Sequence, residues 1–497
     1  MSETLWDMDA IVAATQGRPM GDVPAAVTGL SIDTRTLQDG EAFFAIKGER
    51  FDGHSFLTAA AAAGASVLVV AEQRLPALGR VQAPLLVVDD VLMSLGRLAE
   101  AARARSKARI IAVTGSVGKT TTKEALRHAL SACGSVHAST ASFNNHWGVP
   151  LSLARLPAEA RFGVFEIGMN HAGEIRPLTQ LVRPDVGIVT LIAPAHLGHF
   201  RDLDEIAEAK AEIFEGIVPG GTALLNADDP QSVRLATMAR QAGVKTIKTF
   251  GEAVGADYRL TGFEPSSEGS RMTATIAGQD VVVHLPVAGR HTVQNILAVL
   301  GAADLVGADL QACADALASW RSVKGRGQRH RLTTPDGGRI VLIDDSYNAN
   351  PASVKAAIEV LGAAEPTGEG RRIAVLGDMR ELGDRAPDLH AELAEPLIAA
   401  GVGQVLLAGE AMTALRDAIG DRLSCDWYDD AGALGPNLLR QVRAGDVVLV
   451  KASLAMAFGK LVDRLIEQFP APGEPADPAS APPDPDGATS SSGAEEA

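Results

Sequence analysis

The eight residues TGSVGKTT at 114 to 121 constrain this chain more than any other stretch of it. They follow the apolar run IIAV and lead into a helical pattern, KEALRHAL. A glycine-bearing loop between a buried strand and a helix is the setting in which backbone N–H groups and a helix N-terminus cradle phosphate. Thr114, Gly115, Ser116, Val117, Gly118, Lys119, Thr120 and Thr121 form the candidate cradle. Its glycines admit close backbone approach, Lys119 supplies a point charge to β and γ oxygens, and Thr120 is placed to reach Mg²⁺. The usual first glycine of such a loop falls at Val113, so this is a shortened variant. The plainer alternative is a turn before a helix with a solvated lysine.

A loop of this kind belongs to a parallel α/β sheet, and the flanking sequence agrees. The apolar runs FGVFEIG, VGIVTLI, TALLNA and VKTIKTF alternate with helical patterns after residue 107, as a doubly wound sheet requires. A second alternating set follows the Gly- and Arg-rich stretch SVKGRGQRHR at 322 to 331: RIVLIDDS, RIAVLGDM, QVLLAGE and DVVLVKAS. Before residue 107, short strands at Leu30 to Ile32, Ala42 to Ile46, Ser66 to Val70 and Leu85 to Val88 with an Ala-rich helix after His54 make a smaller α/β unit. The expectation is an α/β protein of three domains, a central P-loop-type parallel sheet (107–322) between a small N-terminal α/β domain (1–106) and a C-terminal Rossmann-like domain (323–468). At 497 residues the chain is too long for one core. Residues 469–497 are Pro, Ala, Ser, Gly and acids, too poor in apolar side chains to fold, and are expected to be a disordered tail.

That tail holds six acids and no base from Ala471 on, so the body stands at −10 rather than −16. An acidic body argues against nucleic-acid or anionic-membrane partners while leaving room for a local phosphate pocket. The N-terminal MSETLWDMDA has acids where a secretory signal is basic, and Phe56 to Ala71 is too short and too mildly apolar to span a bilayer. Cys133, Cys313 and Cys425 are odd in number and widely spaced, which suggests neither a disulfide framework nor a thiolate metal site. A cytoplasmic monomer is expected.

Five further positions carry chemistry. Glu166 lies inside the apolar run FGVFEIGMN, where a carboxylate needs a cation or strong donors; a Mg²⁺ site and a core salt bridge both satisfy that need. His196, in PAHLGHF, follows the next strand and is read either as a loop histidine or as a ligand. Lys210 falls on the apolar stripe Leu203, Ile206, Lys210, Ile213, Ile217 of a helix beginning at Asp202, with Glu205 as its capping-box partner. Its neighbours one turn away include no acid. Burial favours the neutral amine, which reacts with CO₂ to give a carbamate; the other reading is a lysine snorkelling at the rim of the stripe. Asp344 and Asp345 are delivered by RIVLI to a loop capped by Pro351, a geometry suited to a ribose or a metal.

Taken together, TGSVGKTTTK, SFNNHWGVPLSL, EIGMNHAGEI, APAHLGHF, KAEIFEGI, GRHTVQN, GRGQRHR, DDSYNANP and GDMRELG resemble the Mur ligase family, from SIDTRTLQDGEAFFAIKGERFDGH to about residue 465. SFNN with DDSYNANP is similar to the members that add a dipeptide rather than a single amino acid. The resemblance implies an ATP-dependent ligase that joins D-alanyl-D-alanine to a UDP-linked muramoyl tripeptide through an acyl phosphate. It implies ATP and two Mg²⁺, with Lys119 and Thr120 at the triphosphate, Glu166 and His196 as metal ligands and a carbamylated Lys210 supporting the second ion. It further implies Asn295 at the adenine, Arg326 at the phosphates and Asp345 at the ribose. Ser31, Asp33, Arg35, Asp52, Gly53 and His54 would meet the UDP-sugar, and Asn144 and Asn145 the substrate. Thr292 stands where the family has Asn, and KASLAMAFGK only partly matches the last-strand pattern. Two rivals share the loop: a folate polyglutamate ligase, and a nucleotide switch that has kept the P-loop without catalysis.

Overall fold

The computed structural model describes residues 4–48, 51–79, 82–140, 143–194, 197–266 and 269–471. Of the expected tail, 469–497, the part from 472 onward lies outside the described residues, as does His196, whereas Phe469 is buried in an apolar cluster and Pro470 O accepts from Thr333 N–H at 3.0 Å, so the folded body runs past the expected bound. Two compact units divide the chain, residues 1–322 with 381–383, and residues 323–380 with 384–497.

The first unit holds two larger sheets. The five-stranded one runs Arg18–Met20, Leu85–Val88, Val67–Ala71, Glu41–Phe44, Gly29–Ser31, parallel except for the first strand. Two of its inner strands, Val67–Ala71 and Leu85–Val88, are apolar at every position and almost wholly buried, which is what a parallel sheet demands. Asp90 caps the long helix Val91–Arg105, its side chain accepting from Met93 N–H.

The nine-stranded sheet is built around Arg109–Thr114, flanked by Phe162–Glu166 and Val186–Val189. The chain leaves the central strand, returns on one side through Val136–Ala138 and Phe162–Glu166, then crosses to the other side. That reversal of winding opens a crevice at the carboxyl ends of these strands. Thr222–Asn226 and Thr246–Gly251 extend the parallel part, and Tyr258–Ser266, Gly269–Ile276 and Gln279–Leu285 add an antiparallel meander. Separate apolar clusters cover the two faces of the sheet.

The second unit is a six-stranded sheet in the order Gln328–Thr333, Arg339–Asp344, Val447–Lys451, Arg372–Gly377, Gln404–Ala408, Cys425–Tyr428, antiparallel only at its first pair. The last four residues of the Gly- and Arg-rich boundary segment therefore belong to an edge strand. Pro351 does not cap the loop after Asp345 but opens the helix Pro351–Ala363, with Asn350 and Ser353 forming a reciprocal capping box. Among the described residues no helix is long and apolar enough to cross a membrane.

Candidate active site

The P-loop leaves the central strand at its carboxyl end, and its shape is fixed from behind. Gly115 has φ +147°, and a Cβ there would lie 2.0 Å from Thr190 Oγ1. Thr190 Oγ1 donates to Val117 O at 2.5 Å, Ser116 N–H donates to Leu191 O at 2.7 Å, and Ser116 Oγ accepts from Ala193 N–H at 3.0 Å. The start of the segment after Val186–Val189 is therefore the floor on which the loop rests. Gly118, at φ +89°, is the N-cap of the helix Lys119–Ser131, and a Cβ there would sit 2.5 Å from Asn295 Oδ1. That places Asn295, on the helix Arg290–Leu305, against the mouth of the loop. Lys119 Nζ folds back to Gly115 O at 2.8 Å.

Glu166 ends the strand beside the loop and is 1% exposed. Two strong donors meet it: Thr120 Oγ1 donates to Oε2 and Asn144 Nδ2 to Oε1, each at 2.8 Å. Thr120 and Asn144 thus meet on one carboxylate. Asn145 has a different task, since its Oδ1 accepts from Gly148 N–H at 2.9 Å at the start of Gly148–Ala154.

Asp202 caps the helix Leu203–Ala211, accepting from Glu205 N–H at 2.9 Å. The capping box is not completed, because the Glu205 carboxylate takes Arg201 N–H instead, at 2.8 Å. The α-helix also stops earlier than the stripe implied, passing into a 3₁₀ segment at Glu212–Gly216 and leaving Ile217 extended. Lys210 is 1% exposed, with no side-chain hydrogen bond or ion pair among the described residues. Burial, reinforced by the charge of Lys119, pushes its amine well below the ordinary lysine value. The snorkelling alternative is thereby excluded. Glu212, which the sequence did not single out, accepts from Gly173 N–H at 2.6 Å and Arg176 N–H at 2.9 Å, clamping the loop after Glu166.

In the five-stranded sheet the N-terminal candidates gather at the carboxyl ends of parallel strands. Ser31 ends its strand, and Asp33 is held below the usual carboxylate range by Arg35, which binds it through Nε at 2.9 Å and Nη2 at 2.5 Å. Gly53 has Ala45 backbone 2.7 Å from where a Cβ would stand. His54 donates through Nδ1 to Asp52 at 2.7 Å and accepts at Nε2 from Ala71 N–H at 3.0 Å, and Asp52 also pairs with Arg74. Both nitrogens of His54 are spent on the fold.

In the second unit Arg326 lies over the Tyr347 ring, 4.3 Å from its centroid. Asp344, fully buried, accepts from Gly325 N–H and from Ser346, so it builds the turn. Asp345 pairs with Lys451 Nζ at 2.6 Å, and that nitrogen also reaches Asn348 O at 3.0 Å. Lys451 is a residue the sequence reading missed; its signal was a lysine closing the apolar run DVVLVK. Further along the same edge, a cavity of about 700 Å³ is lined by Asp378, Arg380, Glu410, Asp429 and Asp430 among others. These residues follow the carboxyl ends of three adjacent parallel strands.

Among the described residues no group of three His, Cys, Asp or Glu side chains is gathered to hold a metal ion by itself. One carboxylate and one hydroxyl beside a phosphate cradle is the sparse oxygen set that suits Mg²⁺, which is commonly held by one or two carboxylates together with substrate phosphates.

Family models match almost every part of this architecture: "Mur ligase family, catalytic domain" over residues 26–103, "Mur ligase middle domain" over 113–303, and "Mur ligase, glutamate ligase domain" over 325–454. The chain belongs to the Mur ligase family. This Mur ligase is 36% identical over 441 residues to the UDP-N-acetylmuramoyl-tripeptide D-alanyl-D-alanine ligase of Escherichia coli, covering 88% of the chain and 93% of the relative. It superimposes on a crystal structure of MurF from Acinetobacter baumannii with TM-score 0.80 and 30% identity, over 94% of the chain and all of the other. MurF from Thermotoga maritima in complex with ADP gives TM-score 0.73 and 26% identity, over 88% and 97%.

Proposed function

We propose that this Mur ligase joins D-alanyl-D-alanine to the terminal carboxylate of UDP-N-acetylmuramoyl tripeptide in the cytoplasm, with hydrolysis of ATP to ADP and phosphate. The observation that carries the reading is the grouping of the P-loop, the Thr120–Glu166–Asn144 constellation and the buried Lys210 in one unit. Kinship with dipeptide-adding ligases supplies the substrates.

A carboxylate is a poor electrophile. One of its oxygens attacks the γ-phosphorus of ATP, ADP departs, and an acyl phosphate forms. The amine of the dipeptide then adds to the acyl carbon, and the tetrahedral intermediate expels phosphate and loses a proton to give the amide. The protein's share is positioning and charge neutralisation. The backbone of Gly115 to Lys119 holds the phosphates, Lys119 adds positive charge at the β and γ oxygens, and Asn295 orients the base. Arg326 and Asp345 serve the phosphate and ribose sides of the nucleotide. Thr120, Glu166 and His196 would hold Mg²⁺, which supplies further neutralisation of the triphosphate. Lys210, buried and with its amine held well below the ordinary lysine value, is suited to carry a carbamate for a second ion. Ser31, Asp33, Arg35 and the Asp52 to His54 turn receive the UDP-sugar. The 700 Å³ cavity, acidic with a single arginine among its named charges, takes the dipeptide zwitterion: acids toward the ammonium, Arg380 toward the carboxylate.

Tripeptide labelled with ¹⁸O in its terminal carboxylate tests the chemistry. One labelled atom in the released phosphate is the expected result; unlabelled phosphate would refute an acyl phosphate.

A further inference from the structure

His390 does not line the cavity, yet it is fully buried directly behind it. Its Nε2 accepts Met379 N–H at 3.0 Å, and its Nδ1 donates to Ala386 O at 2.6 Å. The neutral tautomer with the proton on Nδ1 satisfies both bonds at once. Met379 lies between Asp378 and Arg380, the two cavity residues that follow the strand Arg372–Gly377. Ser453 holds the same segment from the other side: its N–H donates to Asp378 O at 3.2 Å, and its Oγ accepts Arg380 N–H at 2.9 Å. Three consecutive residues are thus pinned, and no backbone carbonyl among the described residues takes the middle N–H. An aliphatic side chain would fill the volume of the imidazole without the cost of burying two nitrogens. What the imidazole adds is an acceptor for that one N–H.

We infer that His390 is a positioning residue for the acceptor substrate, fixing the backbone of Asp378 to Arg380 and so the placement against the dipeptide of these two side chains, which pair with each other at 3.7 Å. The inference rests on the assignment of the cavity to the dipeptide. The Asp378 carboxylate faces the imidazole with its charge, and it is itself held by Met412 N–H at 3.1 Å. Loss of the His390 bond therefore frees the main chain between two side chains whose separation determines the fit.

Steady-state kinetics on the full chain with each substrate varied in turn test the inference. His390→Asn keeps a donor near Ala386 O but is too short to reach Met379, His390→Leu keeps neither bond, and His390→Gln restores an acceptor near the position of Nε2. The Asn and Leu variants are expected to raise the KM for D-alanyl-D-alanine at least tenfold, with the KM values for ATP and UDP-muramoyl tripeptide within twofold of wild type. The Gln variant should return to within threefold. If the Leu variant does not fold, the comparison of Asn with Gln decides alone. A dipeptide KM unchanged in His390→Asn, or a rise shared equally by all three substrates, would overturn the positioning role. Absence of dipeptide-dependent turnover in the wild-type protein is a different failure, since it removes the acceptor assignment itself.

Discussion

Gly118 has room for no side chain. Its φ of +89° already disfavours any L-residue, and a Cβ would press to 2.5 Å from the Asn295 carboxamide. Gly118→Ala should fold, because the strain is confined to one loop, but should bind ATP at least tenfold more weakly by calorimetry. Lys210 makes a sharper residue-scale prediction. Its buried amine, held well below the ordinary lysine value, should show a carbamate resonance when the protein is equilibrated with ¹³C-bicarbonate, absent in Lys210→Ala. The same variant should lose turnover at least a hundredfold while keeping ATP affinity within about threefold. A variant with wild-type turnover would remove Lys210 from the mechanism. Lys210 was legible in the sequence because a charged residue interrupted an apolar stripe with no acid one turn away. Lys451 and His390 were not, because their roles rest on partners 106 and 11 residues distant in the chain.

At the scale of elements, two histidines tie loops and helices together as neutral acceptors or donors. His390 holds Met379, and His137 meets Ser152 O at 2.7 Å. Burial pushes both below the ordinary imidazole value of about 6.5. As pH falls through that value the unfolded chain takes up protons that the folded chain refuses, so stability rises with pH across this window and is lost toward acid. Asp89, held down to about 2 chiefly by Arg97, contributes stability that is lost only at far lower pH. The denaturation midpoint should therefore fall between pH 7.5 and 5.5, and His390→Gln should flatten part of that slope; a slope identical to wild type would contradict the assignment. The elements legible in advance were those with their own signal, such as the apolar parallel strands and the helix capped by Asp202. Those missed were edge strands. Arg18–Met20 is exposed throughout and Cys425–Tyr428 is half-buried, and each exists because a buried neighbour offers a free edge. The stripe through Lys210 overran its helix because periodicity does not distinguish an α-turn from the 3₁₀ turn that follows it.

For the whole molecule, the two units divide the proposed chemistry, with the loop assigned to phosphate in one and the acidic cavity in the other. Residues 472–497 supply none of the groups used here, and their composition cannot build a core; a chain ending at residue 471 should keep turnover within twofold. The proposed role is tested most directly by ADP release from purified protein given ATP, Mg²⁺ and UDP-muramoyl tripeptide, with and without D-alanyl-D-alanine. Release that requires both substrates is the result expected of a dipeptide-adding ligase. Release indifferent to the dipeptide would contradict it.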